Sequence, residues 1–206
     1  PRTSATALLV GADRLEPAEA LSVRSRVWVE HGYALVTSRC SEGYWANEGQ
    51  GPGAGMVAVL AGDLSGVHHH NDALSVQVES GGRLWVEDVE SRAVEGHGFS
   101  ASIQKAFNRT VLAHNTVVVD GRDRATLRQP VPVTEFKDLP GCCTVTMTDL
   151  ECRLYAGVRM ARCVAVAPEY CLDLFQAASD VEHAYDWLVH PRSDGPAECG
   201  GLAFAE

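Results

Sequence analysis

Residues 73–88, ALSVQVESGGRLWVED, predict two antiparallel strands joined by a tight turn. From Leu74 to Val78, apolar residues alternate with less apolar ones, which is the period-two pattern of a strand with one buried face. Ser80-Gly81-Gly82 is a turn signal, and the alternation resumes from Leu84 to Val86. This pattern, repeated along the chain, indicates an all-β fold.

Short β-rich runs of the same kind lie on both sides of this hairpin. Turn sequences such as Asp120-Gly121 and Leu139-Pro140-Gly141 separate them. Many short strands with Gly and Pro turns are typical of a sandwich or a barrel, and an all-β chain of 206 residues often forms a single domain. The further predicted strands are Leu21–Val29, Tyr33–Val36, Met56–Leu60, Thr116–Asp120, Cys143–Thr148, Val158–Ala167, Tyr170–Phe175 and Tyr185–Val189.

A few segments do not fit the strand pattern. Ser41–Gly55 combines Glu, Asn and Pro with closely spaced glycines, and this composition predicts a surface loop. Only Pro17–Leu21 and the region around Val94–Phe107 have the character of short helices.

The composition excludes several classes of protein. The net charge is −10 and no basic patch is present, so the sequence does not predict a nucleic-acid-binding protein. No apolar run reaches the roughly 18–20 residues that a membrane-spanning helix needs. Seven cysteines occur without a CxxC pair, which argues against a zinc ribbon, and Cys163 and Cys171 lie in apolar runs that predict buried thiols. The sequence leaves disulfide pairing open.

The chemically richest part of the chain directly precedes the hairpin. His68, His69, His70 and Asp72 fall within five residues. Asp88 follows the second strand of the hairpin, and His114 precedes a later β-rich run. Histidine and aspartate from neighbouring strands are a usual way to build a metal site on a β-scaffold.

The parity of a residue, meaning the face of the strand on which its alternating position places it, refines this hypothesis. If the first strand of the hairpin is extended backwards, His68, His70 and Asp72 share the face of its apolar residues, and Asp88 shares the apolar face of the second strand. His70 and Asp88 are then expected at the ends of adjacent strands, with His114 brought to them by a third. Two histidines and one aspartate leave a fourth position open on a tetrahedral Zn²⁺.

An ordered series of motifs resembles the heparinase II/III-like family. The motifs are His68-x-His70-x-Asp72-x-Leu74-Ser75, then residues 81–88 (GGRLWVED), residues 109–121 (RTVLAHNTVVVDG) and residues 183–190 (HAYDWLVH). The resemblance covers roughly residues 30 to 190. The order of the motifs is more specific than any one of them.

The resemblance implies an architecture and a metal. Members of this family join an N-terminal α/α-toroid to a C-terminal antiparallel β-sandwich, so residues 1–206 are expected to be one two-sheet β-sandwich domain from the C-terminal part of a longer protein. The zinc ligands of the family fall on His70, Asp88 and His114. The first histidine of its HxH pattern falls on His68, which would face the substrate.

The resemblance also implies a reaction, which is β-elimination in a uronic-acid-containing polysaccharide. The enzyme removes the proton at C5, beside the uronate carboxylate, and the oxygen at C4 leaves. The carboxylate must be neutralised to stabilise the developing charge, and a positioned side chain must move the proton. His68 is the catalytic candidate in this chain, and Arg109 is the candidate for binding a substrate carboxylate. The tyrosine that acts in catalysis generally comes from the toroid.

Two other readings of the histidine cluster stay open. One is a non-catalytic carbohydrate-binding or structural module with a structural metal. The other is a cupin-like metal-dependent enzyme, which would need a glutamate soon after the HxH pattern. Glu79 is the nearest such residue, and its parity is opposite to that of His70, which weakens the cupin reading.

The expected partners follow from the resemblance. They are an acidic polysaccharide, heparin-like, alginate-like or another uronate polymer, and the toroid of the same protein. No nucleic acid or membrane is expected as a partner, and the oligomeric state, a homo-oligomer included, is left open. The sequence begins at Pro1 without a signal-peptide pattern, so we expect a mature form or a piece of a longer protein. The resemblance implies a periplasmic or secreted location.

Overall fold

Two antiparallel sheets face each other across a common apolar core. A computed structural model describes residues 24–38, 56–62, 69–81, 83–88 and 101–192. The first sheet has five strands in sequential order, which are β1 (Arg26–Trp28), β2 (Tyr33–Thr37), β3 (Met56–Ala61), β4 (Val76–Ser80) and β5 (Arg83–Val86). The predicted all-β, two-sheet sandwich is confirmed, as is the hairpin formed by β4 and β5.

The second sheet contains the longest strands. In the order β10-β9-β8-β7 it comprises β7 (Val133–Leu139), β8 (Cys142–Asp149), β9 (Val158–Val166) and β10 (Cys171–Ser179). Strand β8 alternates strictly between buried and half-buried residues, with Cys143, Val145 and Met147 directed into the core. This is the period-two burial that its sequence predicted.

The core lies between the two sheets. Ala58 and Leu60 of β3 and Met160 and Val164 of β9 are fully or almost fully buried and belong to one apolar cluster. Burying such side chains stabilises the fold by about 1.5–3 kcal/mol each for Leu, Val or Met. The core therefore fixes the two sheets face to face.

A small two-stranded sheet packs against the shared core. It pairs β6 (Val117–Val119) with β11 (Tyr185–Trp187). Short helical turns precede β6. A π-helical turn at Gln104–Asn108 overlaps the end of the region around Val94–Phe107 where a helix was expected, and a 3-10 turn at Val111–Ala113 follows that region. A 3-10 turn at Val29–His31 connects β1 to β2.

The expected helix at Pro17–Leu21, the expected loop at Ser41–Gly55 and the segment 21–23 of the first predicted strand lie outside the described residues. Strand β7 was not predicted. No helix in the described ranges is long and apolar enough to cross a membrane.

Candidate functional site

The predicted metal ligands lie together at one end of the sandwich, where three segments meet. His70 belongs to the segment that leads into β4, Asp88 follows the end of β5, and His114 lies between the 3-10 turn at Val111–Ala113 and β6. The β4–β5 hairpin brings the first two segments side by side. The β6 segment packs against both of them.

His114 is the most enclosed member of this group. Its side chain is 2% exposed, and its Nδ1 lies 3.2 Å from Oδ2 of Asp88. The ring of His70 lies beside it, with 5.4 Å between ring centroids and a 45° tilt. His114 Nε2 is buried and has no hydrogen-bond partner in the described part of the chain, which is uncommon for a buried polar atom.

Asp88 is held in place by hydrogen bonds as well as by His114. Its Oδ1 accepts hydrogen bonds from Ser75 Oγ at 3.0 Å and from Asn115 Nδ2 at 3.4 Å. Burial opposes ionisation of this carboxyl, but the hydrogen bond and charge of His114 and the hydrogen bonds of Ser75 and Gln77 outweigh it, so its pKa is lowered. Asp88 is therefore ionised at neutral pH, as a metal-binding carboxylate must be.

The electrostatics around His70 favour its neutral form. Burial is the main cause that lowers its pKa, and the nearby charges of His114 and Arg109 act in the same direction, whereas Asp88 opposes them. A neutral imidazole is the form that binds metal ions.

The backbone before β4 differs from the extended strand that the parity argument assumed. Strand β4 begins only at Val76. The Ser75 N–H donates to the carbonyl of Asp72 at 2.8 Å, and Leu74 has a φ of 58°. This turn interrupts the alternation, so the parity argument for His70 was wrong even though His70 does lie beside His114.

Asp72 lies in the same turn and carries a second carboxyl close to the site. Burial is the largest cause that raises its pKa, and the charges of His114 and Arg124 oppose the increase. Arg124 is itself buried and donates through Nη1 to the carbonyl of Ala73. The turn before β4 is thus fixed to the segment that follows β6.

Asn115, which was not predicted as a site residue, connects all the segments of the site. Its backbone N–H donates to Ser75 Oγ at 3.0 Å, and its Nδ2 donates to the carbonyl of Glu87 at 3.0 Å. Its Oδ1 accepts from the backbone N–H of His190 at 2.7 Å. One fully buried amide therefore joins the starts of β4 and β6 to the ends of β5 and β11.

His190 is a further histidine at the edge of the site. Its Nδ1 lies 3.2 Å from Asn115 Oδ1. Burial is the main cause that lowers its pKa, with a smaller opposing contribution from Asp88 and a hydrogen bond to the backbone of Leu112. His190 lies in one of the motifs that carry the family resemblance, but no local pattern predicts its contact with Asn115.

The outcome for the predicted residues is mixed. The structure brings together His70, Asp88, His114 and Arg109, whereas His68, the catalytic candidate, lies outside the described residues. The carbonyl of Arg109 accepts a hydrogen bond from the N–H of Asn71 at 3.0 Å, which ties the Arg109 segment to the histidine segment. Across the described ranges, no three His, Cys, Asp or Glu side chains are arranged to hold a metal ion.

The described ranges also contain His183 and five cysteines outside this group. His183 Nδ1 lies 2.8 Å from Asp120 Oδ2 near the surface. The five cysteines in the described ranges are all free thiols. Cys163 and Cys171, which were predicted to be buried, are partly exposed.

A cleft of about 510 Å³ opens beside the site between the two sheets. Its lining is mainly apolar and includes Val76, Trp85 and Val189. Asn115, Arg162 and Asp173 form its polar part. The cleft therefore reaches the buried polar residues behind the histidine group.

The sequence matches a known family over most of its length. The profile of the family "Heparinase II/III-like, C-terminal" matches residues 21–194. No curated protein matches the chain.

Solved structures with the same fold are larger proteins of low sequence identity. The heparinase III BT4657 gene product is 15% identical with a TM-score of 0.67, and the match covers 94% of this chain and 28% of that protein. Heparan sulfate lyase HepC from Pedobacter heparinus is 14% identical with a TM-score of 0.62, covering 90% of this chain and 26% of that one. A heparinase III structure is 12% identical with a TM-score of 0.56, covering 76% and 23%. The chain thus spans about a quarter of the length of these proteins.

Proposed function

Because the chain belongs to the heparinase II/III-like, C-terminal family, we propose that it is the zinc-binding β-sandwich domain of a polysaccharide lyase. The enzyme would cleave a uronic-acid-containing polysaccharide by β-elimination. The observation that carries the metal part of the proposal is His114, a buried histidine whose Nε2 has no hydrogen-bond partner in the described ranges and whose Nδ1 lies 3.2 Å from Asp88.

The residue types at this site fit zinc. Two imidazoles and one carboxylate form a common ligand set for Zn²⁺, and such a set leaves a position for another ligand. The lowered pKa values of His70 and Asp88 favour the deprotonated states that bind metal. Burial of His114 Nε2 without a hydrogen bond costs about 1–3 kcal/mol, which coordination of a metal would offset. His70, Asp88 and His114 are therefore the proposed ligands.

In this proposal the metal site orders the segment that carries the reactive histidine. His68 is two residues before His70, so fixing His70 limits the positions that His68 can take. His68 would neutralise the uronate carboxylate or transfer the proton at C5, and Arg109, close to His70, would bind a substrate carboxylate. Zinc would supply rigidity at this point of the fold.

The rest of the enzyme is proposed to lie outside this chain. Residues 1–206 would form one domain at the C-terminal end of a longer protein, packed against an N-terminal α/α-toroid that provides the remaining catalytic groups. The larger size of the structurally similar proteins supports this view. Heparin-like polymers, alginate and other uronates are the candidate substrates. A periplasmic or secreted location is proposed with them.

Metal content is the first test of this proposal. The chain would be purified without chelators and its zinc measured by inductively coupled plasma mass spectrometry, beside His114→Ala and the matched control His183→Ala. We expect about one zinc per chain in the wild type and in the control and none in His114→Ala. Absence of zinc in the wild type after zinc has been added would contradict the metal site.

The competing candidate is a non-catalytic module. It is favoured by the hydrogen bonds that Asp88 already receives from Ser75 and Asn115, which give the site a structural role without substrate. The full-length protein distinguishes the two, because a lyase releases unsaturated uronate products that absorb in the ultraviolet. We expect His68→Ala to abolish this absorbance and His69→Ala to retain most of it. Full activity of His68→Ala would make the assignment of His68 wrong.

A further inference from the structure

Arg162 places a charged side chain on the buried face of β9, where it lines the cleft between the sheets. It lies in β9 on the same face as Met160 and Val164, and its side chain is 0% exposed. Removing a charge from water costs several kcal/mol unless the charge is paired and hydrogen-bonded. The hydrogen-bond partners of Arg162 therefore indicate the structural role of this buried charge.

Asp173 of β10 provides the countercharge. Arg162 Nε donates to Asp173 Oδ1 at 2.8 Å, and Arg162 Nη2 donates to Asp173 Oδ2, so the pair is bidentate. The guanidinium also lies over the ring of Phe175, with 5.5 Å between the guanidinium carbon and the ring centroid. These contacts fix the plane of the guanidinium and leave Nη1 directed away from Asp173.

Nη1 reaches the two segments that carry the histidines. It donates to the carbonyl of Leu74 at 2.5 Å and to the carbonyl of Asn115. Leu74 is four residues after His70, and Asn115 directly follows His114. One nitrogen therefore holds the backbone of both segments at a fixed separation, from the opposite sheet of the sandwich.

We propose that Arg162, oriented by Asp173, is a positioning residue that sets the distance between the His70 and His114 segments. This inference rests on the proposed zinc site and identifies the part of the second sheet that holds it in shape. Lysine has the same charge but lacks the planar fork, so it cannot bind Asp173 in bidentate fashion and still reach both carbonyls. An apolar pair would fill the space without holding either carbonyl.

The test separates positioning from general stability. Arg162→Met with Asp173→Leu replaces the buried ion pair by an apolar pair, a change that is often neutral or stabilising for folding. Arg159→Met is the matched control, because Arg159 lies on the same strand but is exposed. Three quantities would be measured for each protein: the urea midpoint, amide hydrogen exchange of residues 71–75 and 114–116, and zinc affinity by competition with a chromogenic chelator.

We expect the double variant to keep a cooperative urea transition while the amides of Ser75 and Asn115 exchange faster than in the control. Zinc affinity is expected to fall about 10- to 100-fold, the range found when residues that support metal ligands are removed. Exchange rates and zinc affinity equal to those of Arg159→Met would overturn the proposal. If the wild type binds no zinc, the proposed metal is wrong, whereas the exchange rates still decide whether Arg162 positions the two segments.

Arg162→Lys and Asp173→Asn provide a second route if the double variant does not fold. Both variants retain polar partners in the same space, so they perturb the fold less than truncation does. We expect faster exchange at Asn115 and weaker zinc binding in both, with the larger effect for Arg162→Lys because Nη1 is lost. Wild-type values in a folded Arg162→Lys would overturn the proposal.

Discussion

The four-stranded sheet is built from different contacts than the histidine end of the sandwich, which is the group of His70, Asp88, His114 and their hydrogen-bonded neighbours. Strands β8 and β9 contain eight and nine residues, and their buried positions alternate almost without interruption. At the histidine end the elements are short, and the buried residues include His114, Asn115 and Thr116. Hydrophobic burial stabilises the first region, whereas side-chain hydrogen bonds to distant backbone groups hold the second.

This difference predicts that global stability and the geometry of the candidate site depend on different residues. Truncating a core residue in the sheet removes apolar contacts that both sheets share, so the whole domain is destabilised. Removing a polar residue at the histidine end breaks hydrogen bonds that determine local geometry, and the sheets keep their own contacts. The two regions should therefore respond differently to substitution and to pH.

The largest expected effect is that of Met147→Ala in β8. Met147 is fully buried in the shared core, so its truncation should lower the free energy of unfolding by about 2–5 kcal/mol. Urea unfolding followed by tryptophan fluorescence measures this change. Met147→Leu, which keeps most of the volume, should cost less than about 1.5 kcal/mol. Equal losses for the two variants would mean that packing in this sheet is loose.

The next effect in size is that of Asn115→Ala at the histidine end. The variant leaves the carbonyl of Glu87 and the N–H of His190 without their partner, at a cost of about 1–3 kcal/mol. Hydrogen exchange should accelerate at residues 87–88 and 188–190 while β8 and β9 keep their protection. Uniform acceleration over both sheets would contradict the separation of the two regions. Gln176→Ala, an exposed change on β10, should stay within about 0.5 kcal/mol of wild type.

The thiol of Cys171 should make the stability of the domain fall at alkaline pH. Burial, followed by the charge of Asp173, raises the pKa of this thiol to about 11, whereas the ordinary value is 9.0. The folded state therefore favours the protonated thiol, and the stability linked to it is fully present below about pH 9 and is lost as pH rises towards about 11. Between about pH 8 and about pH 11, the measured urea midpoint should fall less steeply with pH in Cys171→Ala than in wild type. Parallel slopes would show that this thiol does not contribute.

The smallest effect is expected from Asp120→Asn at the surface end of β6. The hydrogen bond from His183, followed by that from the Ala184 N–H, lowers the pKa of Asp120. The stability linked to it is present above the ordinary carboxyl value of 3.8 and is lost as pH falls through the lowered folded value. Because the pair lies at the surface and is partly exposed, the urea midpoint of Asp120→Asn at pH 7 should differ less from wild type than those of Met147→Ala and Asn115→Ala. A change as large as that of Asn115→Ala would contradict this ranking.

Most of the fold could be predicted from the sequence, because a strand with one face buried in a sandwich alternates apolar and polar residues. Strand β7 was missed for a physical reason. Its apolar residues Val133, Phe136 and Leu139 are three positions apart, and every position of the strand is exposed or half-buried. A strand with little buried surface is under no requirement to alternate, so pattern alone does not find it.

The site shows the other limit of sequence analysis. His70, Asp88 and His114 could be named from motifs, but Asn115 and His190 make contacts across 75 residues of sequence that no local pattern records. The parity argument failed at Leu74 because its φ of 58° ends the alternation before β4 begins. Arg162 did leave a signal, since it occupies a core position in the alternation of β9. A charged residue in an apolar row predicts a buried partner.

Strand β7 also has a consequence for how the chain behaves at high concentration. It pairs with β8 on one side and has no strand on its other side within the described ranges, so its backbone is open to pairing with another molecule. Glu135 and Lys137 lie on this strand, 2.5 Å apart at their charged atoms, and the register is irregular between Val133 and Glu135. Charges and irregular register are the features by which exposed strands resist edge-to-edge aggregation. We therefore expect the solubility of this domain to depend on a strand that contributes little to its core.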